Sequence, residues 1–221
     1  MEKERIRDFI RSFGSDHDSP ALAEIRREAI RDKVPIIRGE TEDLLRILLK
    51  MKKPERILEV GTAIGFSSVF MAESSSAKIT TIENDPARYR RARENIRMAG
   101  MEERITPVLG DAALVLKKME GIWDFIFMDA AKGQYIHFLP DVTGLLAEDG
   151  ILVSDNVLQD GDLFESRYGI RRRNHTIHHR MRDYLYSLTH HDQLDTVILE
   201  CGDGMSISVK KGRGSIYEKT D

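Results

Sequence analysis

Cysteine is almost absent. Cys201 stands alone among 221 residues, so no intramolecular disulfide can form, and the chain suits a reducing cytoplasm. Long apolar runs are missing as well. None approaches the roughly eighteen residues that span a bilayer, and the opening M-E-K-E-R-I-R lacks the pattern of a signal peptide. There is no strong charge bias either. The net charge of -3 excludes a global attraction to nucleic acid and confines any such contact to local patches. No internal repeat divides the chain. With 41% hydrophobic and 32% charged residues it reads as one globular domain over 1–221, with a helical part at 1–53, a core at 54–210 and a disordered tail at 211–221.

What is present is concentrated at R-I-L-E-V-G-T-A-I-G-F-S-S, residues 56–68. An apolar run, Ile57-Leu58 then Val60, stops at a glycine-bearing turn that can open a helix. In an α/β sheet a ligand binds at such a strand end. Glu83 closes a second apolar run, K-I-T-T-I, and a carboxylate there can accept hydrogen bonds from both hydroxyls of a ribose. Gly61 and Gly65 stand four apart, which is not the G-x-G-x-x-G of a pyrophosphate cradle. Glu59, just ahead of the turn, repels phosphate and suits an amino group. S-adenosylmethionine has that amino group, no phosphate, and a ribose for Glu83. The competing reading is an ordinary strand–turn–helix with a fortuitous acid.

The surrounding pattern alternates. Helices are expected near 2–13, 18–32 and 40–52, with Ser19-Pro20 as N-cap and first helical residue. Strands are expected at 56–60, 78–83, 104–109, 123–129 and 150–155, with helices at 66–74, 86–98, 111–119 and 133–147 between them. Such alternation predicts parallel pairing with right-handed crossovers. A helix near 174–190 then precedes two alternating runs, 196–199 and 205–209, with Asp203-Gly204 between them as a hairpin signal.

Two strand ends carry acids. W-D-F-I-F-M-D delivers Asp129, and I-L-V-S-D-N delivers Asp155 and Asn156. Two carboxylates and an amide oxygen are hard donors that suit Mg2+ or another hard divalent cation, with positions left for water and a chelating substrate. Taken alone, Asp155-Asn156 reads equally well as a loop cap. Lys132, three residues after Asp129, can serve as general base beside such a cation. The alternative is a surface lysine at a helix start, where the dipole disfavours a cation. Arg167, Arg171, Arg172, Arg173, Arg180 and Arg182 form a basic cluster with His175, His178 and His179. No cysteine or carboxylate set completes a zinc site with these histidines, which read as exposed or interface residues. A second run, Arg88, Arg90, Arg91, Arg93 and Arg97, reads as a solvated helix face.

E-V-G-T-A-I-G-F-S, the Glu83 strand end, G-D-A at 110–112, D-A-A-K-G-Q-Y at 129–135 and D-N at 155–156 together resemble the cation-dependent O-methyltransferases, a family that includes the catechol and caffeoyl-CoA enzymes. The likeness runs from about Val34 to Lys210. It implies the α/β fold of class I S-adenosylmethionine-dependent methyltransferases, Rossmann-like, with a mostly parallel seven-stranded sheet ending in an antiparallel hairpin. It implies Asp129, Asp155 and Asn156 as metal ligands and Lys132 as the base. Around the methyl donor it implies Ser67 at the methionine carboxylate, Glu83 at the ribose, and Asp111 and Ala112 at the adenine edge. Ile37 would lie in a covering V-P-I-I segment, with Glu59, Gly61 and Asp129 also bordering the donor.

Within that family the chain most resembles the bacterial tRNA 5-hydroxyuridine methyltransferases, through K-V-P-I at 33–36, D-A-A-K-G-Q-Y at 129–135, D-N-V-L at 155–158, R-R-R at 171–173 and G-D-G at 202–204. In 5-hydroxyuridine the 5-hydroxyl lies beside the 4-carbonyl, the same two-oxygen bite that a catechol offers. The resemblance implies tRNA as partner, with Arg171, Arg172 and Arg173 near the anticodon phosphates, and a homodimer. The other readings are a methyltransferase of small catechol-like phenolics and a non-catalytic RNA-binding protein that has kept the fold.

Overall fold

The computed structural model describes Arg5, Phe9, Ile10, Ser12, Phe13, residues 18–158, Leu163 and residues 175–212. Most of the helix expected over 2–13, the triplet Arg171–Arg173 and nearly all of the expected tail lie outside the described residues.

Helix α1 (Pro20–Asp32) begins as its sequence predicts. The Ser19 hydroxyl accepts the Leu22 N–H at 3.1 Å, and Pro20, which has no N–H to leave unpaired, takes the first position. Helix α2 (Gly39–Lys52) follows, and then the alternating part: β1 (Arg56–Val60), α3 (Phe66–Ser74), β2 (Lys78–Glu83), α4 (Pro86–Met98), β3 (Ile105–Leu109), α5 (Ala112–Val115), β4 (Trp123–Met128), α6 (Tyr135–Leu145) and β5 (Leu146–Asp155). Helix α7 (His175–Thr189) leads into β6 (Leu194–Leu199) and β7 (Met205–Lys210).

The strands form one sheet in the order β3-β2-β1-β4-β5-β7-β6. Strands β1 to β5 pair in parallel, and β7 lies antiparallel to both β5 and β6. This is the mostly parallel seven-stranded sheet with a terminal antiparallel hairpin that the resemblance implies. The strand order reverses between β1 and β4, so the crevice above their carboxyl ends is the place where a ligand fits.

Alternation along the strands builds two cores. Ile57, Phe125, Phe127 and Val153 face α1 to α4, where they meet Leu22, Ile25, Leu45, Leu49 and Phe70. Leu58, Val60, Ile126 and Met128 face the other side and pack on Phe138, Val142, Met181 and Tyr184. The two N-terminal helices therefore share a core with the sheet. Each large side chain buried in this way contributes roughly 1.5–3 kcal/mol.

Two elements differ from expectation. Strand β5 starts at Leu146, four residues early, because the residues before Ile151 are taken up as a register shift against Trp123 and Phe125. The helix expected over 111–119 is a short α5 followed by a 3-10 turn, Leu116–Lys118. Only Leu116 in this stretch is buried, so little packing holds a longer helix. The β6–β7 hairpin turns where expected, through the five residues 200–204 between the two alternating runs, since Leu199 pairs with Met205. Gly202 and Gly204 take positive φ there, and the Gly204 N–H donates to the Cys201 carbonyl at 2.9 Å.

Among the described residues no helix is long and apolar enough to cross a membrane. The second arginine run lies on α4 as expected, with Arg88, Arg90, Arg93 and Arg97 exposed. Arg91 departs from it, because its guanidinium bridges Glu28 and Glu94. His178 departs from the expectation of exposed or interface histidines: it is buried within the chain itself, whereas His179 is exposed and lies 3.4 Å from Asp183.

Candidate active site

A cavity of about 830 Å³ opens over the carboxyl ends of β1, β2, β4 and β5, within the usual range of about 300–1,000 Å³ for small-molecule sites. Its floor is the turn after β1. Gly61 has φ of +109°, and a Cβ on it would stand 2.1 Å from the Asp129 carbonyl oxygen. Only glycine permits this approach, which brings the first strand's turn against the end of β4. The Asp129 N–H donates to the Val60 carbonyl at 3.0 Å and locks the same junction.

Glu83 lines the cavity from the end of β2. Its Oε2 accepts the Ala63 N–H at 2.8 Å, and its Oε1 accepts those of Asn84 and Asp85 at 3.0 and 2.9 Å. Three backbone donors fix the carboxylate in direction. Asp111 and Ala112 line the same wall, and Asp111 Oδ1 caps α5 through the Ala113 N–H at 2.9 Å. Ser67, in the first turn of α3, and Ile37, ahead of α2, complete this half.

Glu59 requires a correction. It does not line the cavity but is fully buried, since its place in the strand turns it toward α3. It accepts the Ser68 hydroxyl and, at 2.5 Å, that of Thr81, which is 2.6 Å from the cavity-lining Thr62 hydroxyl. Glu59 therefore supports the wall from behind. Burial pushes its carboxyl up to about 7, against the donation from Ser67, Ser68 and Thr81. An ordinary glutamate titrates near about 4.3, so between those pH values the folded chain holds a proton that the unfolded chain has released. Stability contributed by the protonated form is present at low pH and is lost as pH rises through about 7. Glu59→Gln should remove that loss, worth roughly 3 kcal/mol, and reduce the pH dependence of denaturant unfolding between pH 5 and 8 to the part that Asp155 contributes. An unchanged slope would place the titrating group elsewhere.

The other half of the cavity carries Asp129, Asp155, Asn156 and Lys132. The Asn156 amide donates to Asp129 Oδ1 at 3.0 Å, and the Asn156 backbone N–H donates to Asp155 Oδ1 at 2.8 Å. Burial raises the Asp129 carboxyl, against the Asn156 amide and the Lys132 charge. Burial, then the charge of Asp129, pushes Asp155 up to about 7. Among the described residues no group of three or more His, Cys, Asp or Glu gathers around a metal position. The set is instead two carboxylates, Asp155 buried and Asp129 half-buried, with an amide, in a place where like charges repel. Such a set fits a hard divalent cation, which would remove both the burial cost and the repulsion. Lys132 is half-buried and opens a 3-10 turn, Lys132–Gln134, ahead of α6.

In the sequence Tyr135 stands out only as the last residue of D-A-A-K-G-Q-Y. Buried at the start of α6, its hydroxyl donates to the Met128 and Asp155 carbonyls (3.2 and 3.1 Å) and accepts the Ala130 N–H. It bolts together the strand ends that present the two acids. Arg38 and Asp203 also line the cavity and were not foreseen as a pair, because no local pattern links them.

The profile of an O-methyltransferase family matches residues 12–211. The chain belongs to this family. It is 28% identical over 151 residues to a catechol O-methyltransferase of Mycobacterium tuberculosis, covering 66% of this chain and 69% of that one. It is 32% identical over 126 residues to a caffeoyl-CoA O-methyltransferase of Stellaria longipes, covering 53% and 52%. Among solved structures, a Staphylococcus aureus protein assigned as a caffeoyl-CoA O-methyltransferase superposes with a TM-score of 0.83 at 30% identity, covering 95% of this chain and 99% of that one. An O-methyltransferase from Bacillus cereus, solved in complex with SAH, has a TM-score of 0.81 at 20% identity over 94% and 97%, and shows the same fold. The cavity of this methyltransferase thus lies at the switch point of a fold shared across the family.

Proposed function

We propose that this S-adenosylmethionine-dependent O-methyltransferase acts with a hard divalent cation, such as Mg2+, on the 5-hydroxyl of 5-hydroxyuridine at the tRNA wobble position, giving 5-methoxyuridine. The observation that carries the reading is the meeting of Asp129, Asp155, Asn156 and Lys132 in the cavity whose opposite wall holds Glu83 and Asp111. One half suits a ribose-bearing methyl donor, and the other suits an acceptor with two adjacent oxygens.

Asp129, Asp155 and Asn156 would hold the cation, which supplies chelation of the two acceptor oxygens and a more acidic hydroxyl. Glu83 would accept hydrogen bonds from the ribose hydroxyls, Asp111 and Ala112 would border the adenine, and Ser67 would hold the carboxylate of the donor. Lys132 would take the hydroxyl proton at Nζ. As the acceptor oxygen bonds to the methyl carbon, the carbon–sulfur bond breaks and leaves the neutral thioether. Much of the acceleration would come from holding both reactants in one enclosure.

For RNA as acceptor the support is the basic cluster. Arg171, Arg172 and Arg173 lie outside the described residues, but the helix that follows them is described. There Arg180 Nη1 donates to the Gly133 carbonyl at 3.2 Å, in the turn that Lys132 opens. The arginine triplet thus precedes a helix anchored beside the proposed base. A small catechol-like acceptor is the second reading, favoured by the relatives named catechol and caffeoyl-CoA O-methyltransferases. Replacing Arg171, Arg172 and Arg173 together by alanine should lower methylation of 5-hydroxyuridine tRNA by about tenfold or more, at roughly one phosphate contact per arginine. Catechol methylation should be unchanged. Equal losses on both acceptors would sink the RNA assignment, as would normal 5-methoxyuridine in tRNA from a deletion strain.

A further inference from the structure

Two segments from opposite ends of the described chain meet over the cavity. Arg38 closes the run Pro35–Ile37 that lines it and sits at the N-cap of α2. Asp203 lies in the β6–β7 turn and lines it too. Arg38 Nη2 is 2.6 Å from Asp203 Oδ2, with the side chains 39% and 14% exposed. Beside them Thr41 packs so closely on Gly202 that a Cβ there would stand 2.8 Å from its Oγ1. The turn is also fastened from below. The Val157 and Leu158 N–H groups donate to the Gly204 and Asp203 carbonyls, each at 2.9 Å, and a Cβ on Gly204 would meet Leu158 Cγ at 2.2 Å. Leu158 follows Asn156 by two residues, so the turn is seated on the loop that presents the acceptor half of the site.

We propose that the Arg38–Asp203 ion pair is a latch that holds the Pro35–Ile37 segment against the β6–β7 turn and so retains the methyl donor in its cavity. Arg38 and Asp203 are positioning residues in this account, which rests on the methyl-donor reading of the cavity. Ile37 is buried and in contact with the donor half, whereas Asp203 is tied by its backbone to the acceptor half, so the pair joins the two. A half-exposed ion pair is weak enough to open for exchange. Closed, it adds a barrier to departure, and a change of this kind appears mainly in the off-rate.

The test is calorimetric and stopped-flow measurement of S-adenosylhomocysteine binding to the full chain without acceptor. Arg38→Ala and Asp203→Ala should each weaken binding about fivefold, chiefly through faster dissociation, as expected for one partly buried pair. The double variant should be no weaker than either single one, and the exchange Arg38→Asp with Asp203→Arg should recover most of the affinity. Asp203→Asn, which keeps the shape of the turn, should behave like Asp203→Ala with an unchanged melting temperature. Wild-type affinity in the single variants, or losses that multiply in the double variant, would overturn the latch while leaving the donor reading intact. Failure of the wild-type chain to bind S-adenosylhomocysteine would overturn both.

Discussion

Chelating divalent cations should lower methyl transfer by about a thousandfold, and added Mg2+ should restore it, because a metal at such a centre is worth several kcal/mol of barrier at 1.36 kcal/mol per tenfold. The expectation comes from the electrostatics of the acceptor half. Asp129 and Asp155 are both drawn up by burial, and Asp155, at about 7, is further raised by the charge of Asp129. Asn156 gives one hydrogen bond to each acid, through its amide and its backbone, which orients them without neutralising them. A cation must displace the proton that Asp155 tends to keep, so cation affinity should rise as pH is raised from 6 to 8. Transfer of labelled methyl from S-adenosylmethionine, with and without chelator, measures the effect. Full activity in chelator would remove the cation from the mechanism.

Lys132→Ala should reduce turnover by roughly a hundredfold to ten-thousandfold, the range for loss of a general base, while S-adenosylhomocysteine binding stays within about twofold. Lys132 lies in the acceptor half of the cavity, close enough for its charge to lower both Asp129 and Asp155. A purely electrostatic role is the competing account, and Lys132→Arg separates the two. Arginine keeps the charge but does not release a proton in proteins, so it should fail as a base and succeed as a counter-charge. Recovery of most activity in Lys132→Arg would show that the proton leaves by another route.

The site was legible where parallel strands end. Glu83, Asp129 and Asp155 are the last residues of, or the first after, three apolar runs that pair in parallel, so their side chains had to reach one edge of the sheet. The helix start was equally legible at Ser19-Pro20, because a cap is decided by residues three apart. Glu59 was misjudged for a related reason. Its proximity to the glycine turn in sequence suggested contact with the donor, but strand alternation turns it beneath α3. The hairpin was legible from its two alternating runs and from the turn residues between them, where Gly202 and Gly204 both take positive φ.

By itself the sequence determined the alternation of strands and helices, the glycine that lets β1 approach Asp129, and the acids at the strand ends. Each of these depends on periodicity, sterics or capping among near neighbours. Only the tertiary structure decided that Tyr135 bolts β4 to β5, that Glu59 is shut away from water, and that Arg38 meets Asp203 across the cavity. Those contacts join segments far apart in the chain. Their existence depends on how crossovers and the antiparallel hairpin pack onto one sheet, which local pattern does not encode.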